Sequence, residues 1–243
     1  MRLTRVYVDQ PLLPGARVVL PENAGAHLVR VLRLREGEAC VLFNGDGRDC
    51  DARLLAANKR GVEAEIVGER IVDNESPLRM VLLQGIARGE KMDLILQKAT
   101  ELGVQAIAPV FADRTEVRLD GDRLQKRMDH WRSVVVAACE QSGRARIPDV
   151  SPARALAEAA AALDADALKL TLDPQGEHRF ETLARPPGTV VIGIGPEGGW
   201  SEKDRVVLQQ HGFSGLRLGP RVLRTETAGL AAIAAMQARF GDL

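Results

Sequence analysis

Two stretches near the carboxyl-terminal end gather the residues best suited to hold a ligand. In the first, Gly193-Ile194-Gly195-Pro196-Glu197-Gly198-Gly199, glycines close the apolar run that begins at Val190. In the second, Leu218-Gly219-Pro220-Arg221-Val222-Leu223-Arg224-Thr225-Glu226-Thr227-Ala228, arginines, a glutamate and two threonines follow another short strand pattern. The first stretch literally satisfies GxGxxG, the fingerprint of dinucleotide-binding units. That reading fails on context. Such a unit sits near the first strand of its sheet and has an acidic residue about 20 positions on, where this chain has Leu218-Gly219-Pro220. The helix also starts later, at Ser201, which forms a capping-box pattern with Asp204. The glycines then shape a loop between strand and helix, either a plain tight turn or one wall of a crevice. Open α/β sheets bind ligands at the carboxyl ends of their strands, so two polar loops at one edge point to a crevice. The bland alternative, a helix cap at Thr225 with solvated charges, accounts for Thr225 and Glu226 but not for Arg221 and Arg224.

Other chemistries find little support. Cys40, Cys50 and Cys139 form no CxxC pair, and His27, His130, His178 and His211 lack metal-ligand spacing, so neither disulfides nor a metal are expected. Cys139 reads as buried and inert. The formal net charge is zero, so any nucleic-acid surface must be a local patch. Arginine supplies 27 of the 33 basic residues; its planar fork suits phosphate and base edges, although GC-rich coding gives the same excess. No apolar stretch approaches the roughly 20 residues that cross a bilayer. The start, Met1-Arg2-Leu3-Thr4-Arg5, lacks a signal-peptide core, and a cytoplasmic location is expected.

The elements that must position these loops fall into two groups. Residues 1–73 read as short strands, Leu3–Val8, Ala16–Leu20, Ala39–Phe43, Asp51–Leu55 and Val62–Val67, with turns at Asn44–Gly47 and Asn58–Gly61. A small β-barrel is the natural reading, interrupted by a helix over Ala24–Leu34 that is capped by Asn23 and carries Arg30, Arg33 and Arg35. Asp73–Pro77 reads as a linker. Residues 78–243 then alternate apolar strands with amphipathic helices, which predicts a largely parallel sheet covered on both faces. The strands are Arg79–Gln84, Ala106–Phe111, Ala167–Leu172, Val190–Ile194 and Gly215–Leu218. One helix face carries Met92, Ile95, Ala99 and Leu102 and stops at Gly103; another carries Leu124, Met128, Trp131, Val135 and Cys139 and stops at Gly143. The last helix, Glu226–Phe240, is apolar nearly all round and should be buried, in the core or against a second subunit.

Taken together, the motifs resemble one family over nearly the whole chain. They run from Arg5-Val6-Tyr7-Val8 through His27-Leu28-Val29-Arg30-Val31-Leu32-Arg33 with Gly37-Glu38, then Lys91-Met92-Asp93 with Gln97-Lys98 and Glu101-Leu102-Gly103. Glu140-Gln141-Ser142-Gly143-Arg144 and the two carboxyl-terminal loops complete the series. The chain resembles the 16S ribosomal RNA uridine-N3 methyltransferases of the RsmE type, in the SPOUT superfamily. Trp200, where that family usually has Phe, is the one departure. The resemblance implies a PUA-like amino-terminal β-barrel that binds RNA, and an α/β SPOUT domain with a mainly parallel sheet and a trefoil knot. It implies S-adenosylmethionine as cofactor, held by Leu172, Ile194, Gly195, Glu197, Gly198, Gly199, Leu218, Gly219, Leu223, Thr225, Thr227 and Ala228. It further implies a homodimer, with the second subunit completing the active site, that acts on 16S rRNA of the small ribosomal subunit.

The N3 of uridine is mostly protonated at neutral pH, so a carboxylate must take or share its proton and a cation must stabilise the resulting anion. Glu226 and Arg224 are the expected pair, with Arg114 and Arg144 as further catalytic candidates. An ion pair at a helix start is the structural alternative for Glu226. Exposing the Watson–Crick edge requires a grip on the RNA backbone, for which Arg5, His27, Arg30, Arg33 and Arg35 are the expected contacts, against the alternative of a solvated charged face. Two other readings stand beside this one: an enzyme of the same fold acting on a ribose hydroxyl or on guanine, and an RNA-binding ribosome assembly factor without catalysis.

Overall fold

The computed structural model describes residues 3–55, 61–117 and 119–243. Except for Gly61, the turn expected at Asn58–Gly61 lies outside the described residues. The chain divides into two compact units, one of residues up to Glu75 together with Cys139–Ile147, the other of Ser76–Ala138 and Pro148–Leu243.

In the first unit, β1 (Arg5–Tyr7), β2 (Arg17–Val19), β3 (Ala39–Phe43), β4 (Arg48–Leu54) and β5 (Glu63–Ile71) form a sheet in the order β1-β3-β4-β5-β2. The ladders form an open path with β1 and β2 at its ends, and β1 runs parallel to β3 while the other pairs are antiparallel. Alternation decides the register: Cys40, Leu42, Cys50, Ala52, Leu54, Ala64 and Ile66 point into one apolar cluster with Val6, Val8 and Leu28. The helix expected over Ala24–Leu34 is shorter. An α-turn, α1 (Glu22–Ala26), starts after Pro21 and passes into a π-turn over His27–Val31, and Arg33 takes a left-handed conformation with φ 57° that ends the helical path. Asn23 therefore lies inside the helix rather than at its cap.

The second unit is not the continuous stretch 78–243, because Cys139–Ile147 clusters with the first. The reason is polar. Arg5 donates to the carbonyls of Cys139 and Arg144, the Tyr7 amide donates to Glu140, and Asn74 donates to the Gly143 carbonyl.

The remaining elements are β6 (Met80–Gly85), α2 (Glu90–Glu101), β7 (Ala106–Phe111), α3 (Gly121–Ser142), β8 (Asp149–Val150), β9 (Arg154–Ala155), α4 (Leu156–Ala161), β10 (Leu168–Leu172), β11 (His178–Arg179), β12 (Val190–Ile194), α5 (Glu202–Gln210), β13 (Phe213–Arg217) and α6 (Thr225–Phe240). The strands lie in the order β11-β13-β10-β12-β6-β7-β8, with β9 also on β7, and every pairing is parallel. Central β12, Val190-Val191-Ile192-Gly193-Ile194, is buried throughout, as a strand covered on both faces must be. α6 packs against β12 and α2, burying Ala228, Ala232, Ile233, Met236 and Phe240 within the chain. No helix among the described residues is long and apolar enough to cross a membrane.

Candidate functional site

Because the sheet is parallel, the carboxyl ends of β10, β12 and β13 deliver their loops to one edge. There a cleft of about 560 Å³ opens between the turn Leu172–Pro174, the loop from Ile194 to Trp200, and the segment from Leu218 to Ala228. Of the residues expected to bind a cofactor, Leu172, Ile194, Gly195, Glu197, Gly199, Leu218, Gly219, Leu223, Thr225, Thr227 and Ala228 line it. Gly198 does not; its carbonyl accepts a hydrogen bond from Arg114 at 2.9 Å.

Local chemistry explains the loop after β12. The helix begins only at Glu202, capped by Ser201, whose hydroxyl accepts from the Asp204 amide at 3.1 Å while Asp204 accepts from the Ser201 amide at 2.9 Å. The glycines thus precede the helix instead of opening it, and the dinucleotide fingerprint is coincidental. At Gly195 the backbone folds back so closely that a Cβ would lie 3.0 Å from both Gly199 C and Trp200 N. The opposing loop is tied to this turn by Thr225, whose hydroxyl donates to the Gly195 carbonyl at 2.6 Å. Thr225 is the first residue of α6, which Arg224 precedes without any side-chain cap, so the hydroxyl serves the loop and not the helix end.

The cleft is charged at its rim. Glu197 accepts from the Arg88 amide at 3.1 Å and from Lys91 at 3.2 Å. Burial alone would push its carboxyl up, but these bonds and the Lys91 charge outweigh it and hold the group below the usual carboxylate range. Arg221 and Arg224 line the opposite loop and are exposed. Trp200, noted in the sequence only as a departure from the family pattern, lines the cleft, as do Asp173, Arg205, Leu216 and Ala231, which were not singled out. Two of them had a legible signal: Asp173 directly follows a strand at the ligand edge, and Ala231 lies one helical turn beyond Thr227. Arg205, 3.5 Å from Asp173, had none.

The remaining candidates are placed as follows. Arg224 lines the cleft. Glu226 sits half-buried in the first turn of α6, outside the lining; its Oε2 is buried with no hydrogen-bond partner, and it forms no ion pair among the described residues. Arg114 is exposed and held on Gly198. Arg144 is not brought to the cleft: it belongs to the first unit, buried, with its Nε donating to Glu75 at 3.0 Å. Arg5, expected on phosphate, is also buried. It pairs with Asp49 at 2.6 Å and lies over the Phe43 ring at 4.5 Å, because the fold uses it to bind the Cys139–Ile147 segment. His27, Arg30, Arg33 and Arg35 are all exposed in the first unit. Cys139 is buried, and burial pushes its thiol up to about 11. No cluster of three potential metal ligands occurs among the described residues.

Comparison with known proteins decides the family. The RNA methyltransferase domain family matches residues 74–237, and the RNA methyltransferase PUA domain family matches residues 20–67. A ribosomal RNA small subunit methyltransferase E from Buchnera aphidicola is 31% identical over 242 residues, covering 100% of this chain and 98% of its own. The chain belongs to the ribosomal RNA small subunit methyltransferase E family. Among solved structures, the family member from Neisseria gonorrhoeae, bound to S-adenosyl methionine, is 44% identical with a TM-score of 0.94 and covers 99% of each chain. A protein from Legionella pneumophila in complex with the bound cofactor SAM is 38% identical, also with a TM-score of 0.94, over 100% of both chains. The α/β unit with its parallel sheet and the PUA-like unit are thus the family's architecture.

Proposed function

We propose that this chain transfers a methyl group from S-adenosylmethionine to N3 of a uridine in 16S rRNA of the small ribosomal subunit. The observation that carries the reading is the cleft: apolar walls from Leu172, Ile194, Leu216, Leu218 and Leu223, close backbone turns at Gly195 and Gly199, and a polar rim. Such a mixture fits an adenosine with a charged tail. Leu172, Ile194, Gly195, Glu197, Gly199, Leu218, Gly219, Leu223, Thr225, Thr227 and Ala228 would hold the cofactor, with Gly198 keeping the loop in place through Arg114. When bound, it supplies an electrophilic methyl group on a sulfonium.

The chain's own residues do the rest. Glu226, set between the lining residues Thr225 and Thr227 at the start of α6, accepts the N3 proton; its Oε2 has no hydrogen-bond partner of its own. Arg224, exposed at the cleft, stabilises the uracil anion with its guanidinium charge. Arg114 steadies the glycine turn and lends positive charge to the rim. Residues 1–73 serve as the RNA-binding PUA-like domain, in which Arg30, Arg33 and Arg35 with His27 contact phosphate, and residues 78–243, apart from Cys139–Ile147, as the methyltransferase domain. The latter is of the SPOUT type, its chain passing through itself in a trefoil knot around the Leu218–Ala228 segment. The enzyme works in the cytoplasm as a homodimer, the second subunit completing the site.

Titration calorimetry with S-adenosylmethionine tests the reading. One site per chain is expected; no heat of binding indicates an assembly factor that has lost catalysis. Light scattering tests the dimer, which predicts twice the mass of one chain.

A further inference from the structure

We propose that Gln84, which does not line the cleft, is a positioning residue that fixes the two cleft loops relative to each other. The proposal rests on the reading that this cleft binds S-adenosylmethionine. Gln84 is the penultimate residue of β6, 0% exposed, and follows Leu82 and Leu83, which are equally buried. Its Nε2 donates to the Gly85 carbonyl at 2.9 Å and to the Thr225 hydroxyl at 3.1 Å, and that hydroxyl donates to the Gly195 carbonyl at 2.6 Å.

The direction of this chain of bonds is fixed by chemistry. A carbonyl cannot donate, so the single proton of Thr225 must go to Gly195, and the other contact of its oxygen must come from a donor. The Gly85 carbonyl likewise can only accept, which fixes the end of the amide that faces both partners. Gln84 Oε1 is then left buried with no hydrogen-bond partner. An unsatisfied acceptor in the middle of an apolar sheet lowers stability, and an apolar side chain of equal length would fit this strand better. What the amide supplies is order. It links three elements in series, the end of β6, the start of α6 and the loop after β12, and the last two carry Thr225 and Gly195 into the cleft.

The experiment compares wild type, Gln84→Met, Thr225→Val and the double variant by thermal melting, by calorimetry with S-adenosylmethionine and by steady-state methylation of 16S rRNA. Gln84→Met should melt at or above the wild-type temperature, yet raise KM for S-adenosylmethionine at least tenfold while KM for RNA stays the same. The double variant should be no worse than the poorer single variant, because both cut the same chain of bonds. A Gln84→Met enzyme with wild-type affinity for S-adenosylmethionine overturns the proposal, as do losses that multiply in the double variant. Should Gln84→Met fail to fold, Gln84→Asn decides: it keeps the amide but falls one methylene short of Thr225, and unchanged affinity in it overturns the proposal equally. A wild-type protein that gives no heat with S-adenosylmethionine indicts the cofactor reading itself, which separates the two failures.

Discussion

Substituting Gly85 with alanine should disable the cleft from outside it. Gly85 ends β6 where the loop after β12 crosses closest: a Cβ built there lies 2.5 Å from Pro196 N, 2.6 Å from Pro196 Cδ and 2.9 Å from Gly195 C. Ordinary contact begins at 3.4 Å, and the obstructing atoms are backbone and a proline ring, which cannot swing aside. The Gly195–Pro196 segment must therefore retreat by roughly 1 Å, a misplacement that typically costs about 100-fold in rate. That corresponds to ~2.7 kcal/mol of transition-state stabilisation. Overpacking adds a stability cost of about 1–3 kcal/mol, a fall of several degrees in melting temperature. Calorimetry with S-adenosylmethionine, single-turnover methylation and thermal melting should all register the change. Gly188→Ala is the control, since a Cβ there meets nothing within 4 Å. A Gly85→Ala enzyme that binds and methylates within about twofold of wild type would refute the claim that this loop's position sets the cleft.

Four further outcomes follow. Arg224→Ala and Glu226→Gln should each lower kcat by about 10²-fold or more with a smaller effect on cofactor affinity; near-normal turnover in both would remove the pair from the chemistry. Replacing Arg30 and Arg33 together with alanine should weaken RNA binding and reduce the slope of log affinity against log salt by about 0.7 for each phosphate that is no longer neutralised, measured by filter binding over a salt series. Arg5→Ala should leave Asp49 with Arg70 alone and remove a buried donor from the Cys139 and Arg144 carbonyls, costing about 1–3 kcal/mol in denaturant unfolding, an effect absent if Arg5 were a phosphate ligand alone. Burial pushes the Glu140 carboxyl above the usual carboxylate range, against the Tyr7 amide and the charges of His27 and Arg5. A raised folded pKa contributes stability that is present below the unfolded value and lost as pH rises through the folded one. Glu140→Gln should accordingly flatten the decline in melting temperature above about pH 4.

The features legible in the sequence were those with local causes. Ser201 and Asp204 announced a capping box three residues apart, and the unbroken apolar run from Val190 announced a strand buried on both faces; the structure contains both. The glycine loop and the Leu218–Ala228 segment could be paired because parallel strands deliver their loops to one edge. Features with distant causes were hidden. Charge alone shows nothing of the partners of Arg5 and Arg144, which are Asp49 and Glu75, 44 and 69 positions away. The same long-range pairing pulls Cys139–Ile147 out of the unit that periodicity gave it. Thr225 carried the signature of a helix cap, and only the fold shows its hydroxyl turned to Gly195. Gln84 had no signal at all, being one polar residue at the end of a strand.

The central claim is that the cleft at the ends of β10, β12 and β13 delivers a methyl group to uridine N3. The most direct measurement is incubation of 16S rRNA, free and in small subunits, with this protein and methyl-deuterated S-adenosylmethionine, followed by nuclease digestion and mass spectrometry of the nucleosides. Deuterated 3-methyluridine at a single position is the predicted product, with none from the Arg224→Ala protein. Label on a ribose hydroxyl or on guanine, or no label in the presence of bound cofactor, would contradict the claim.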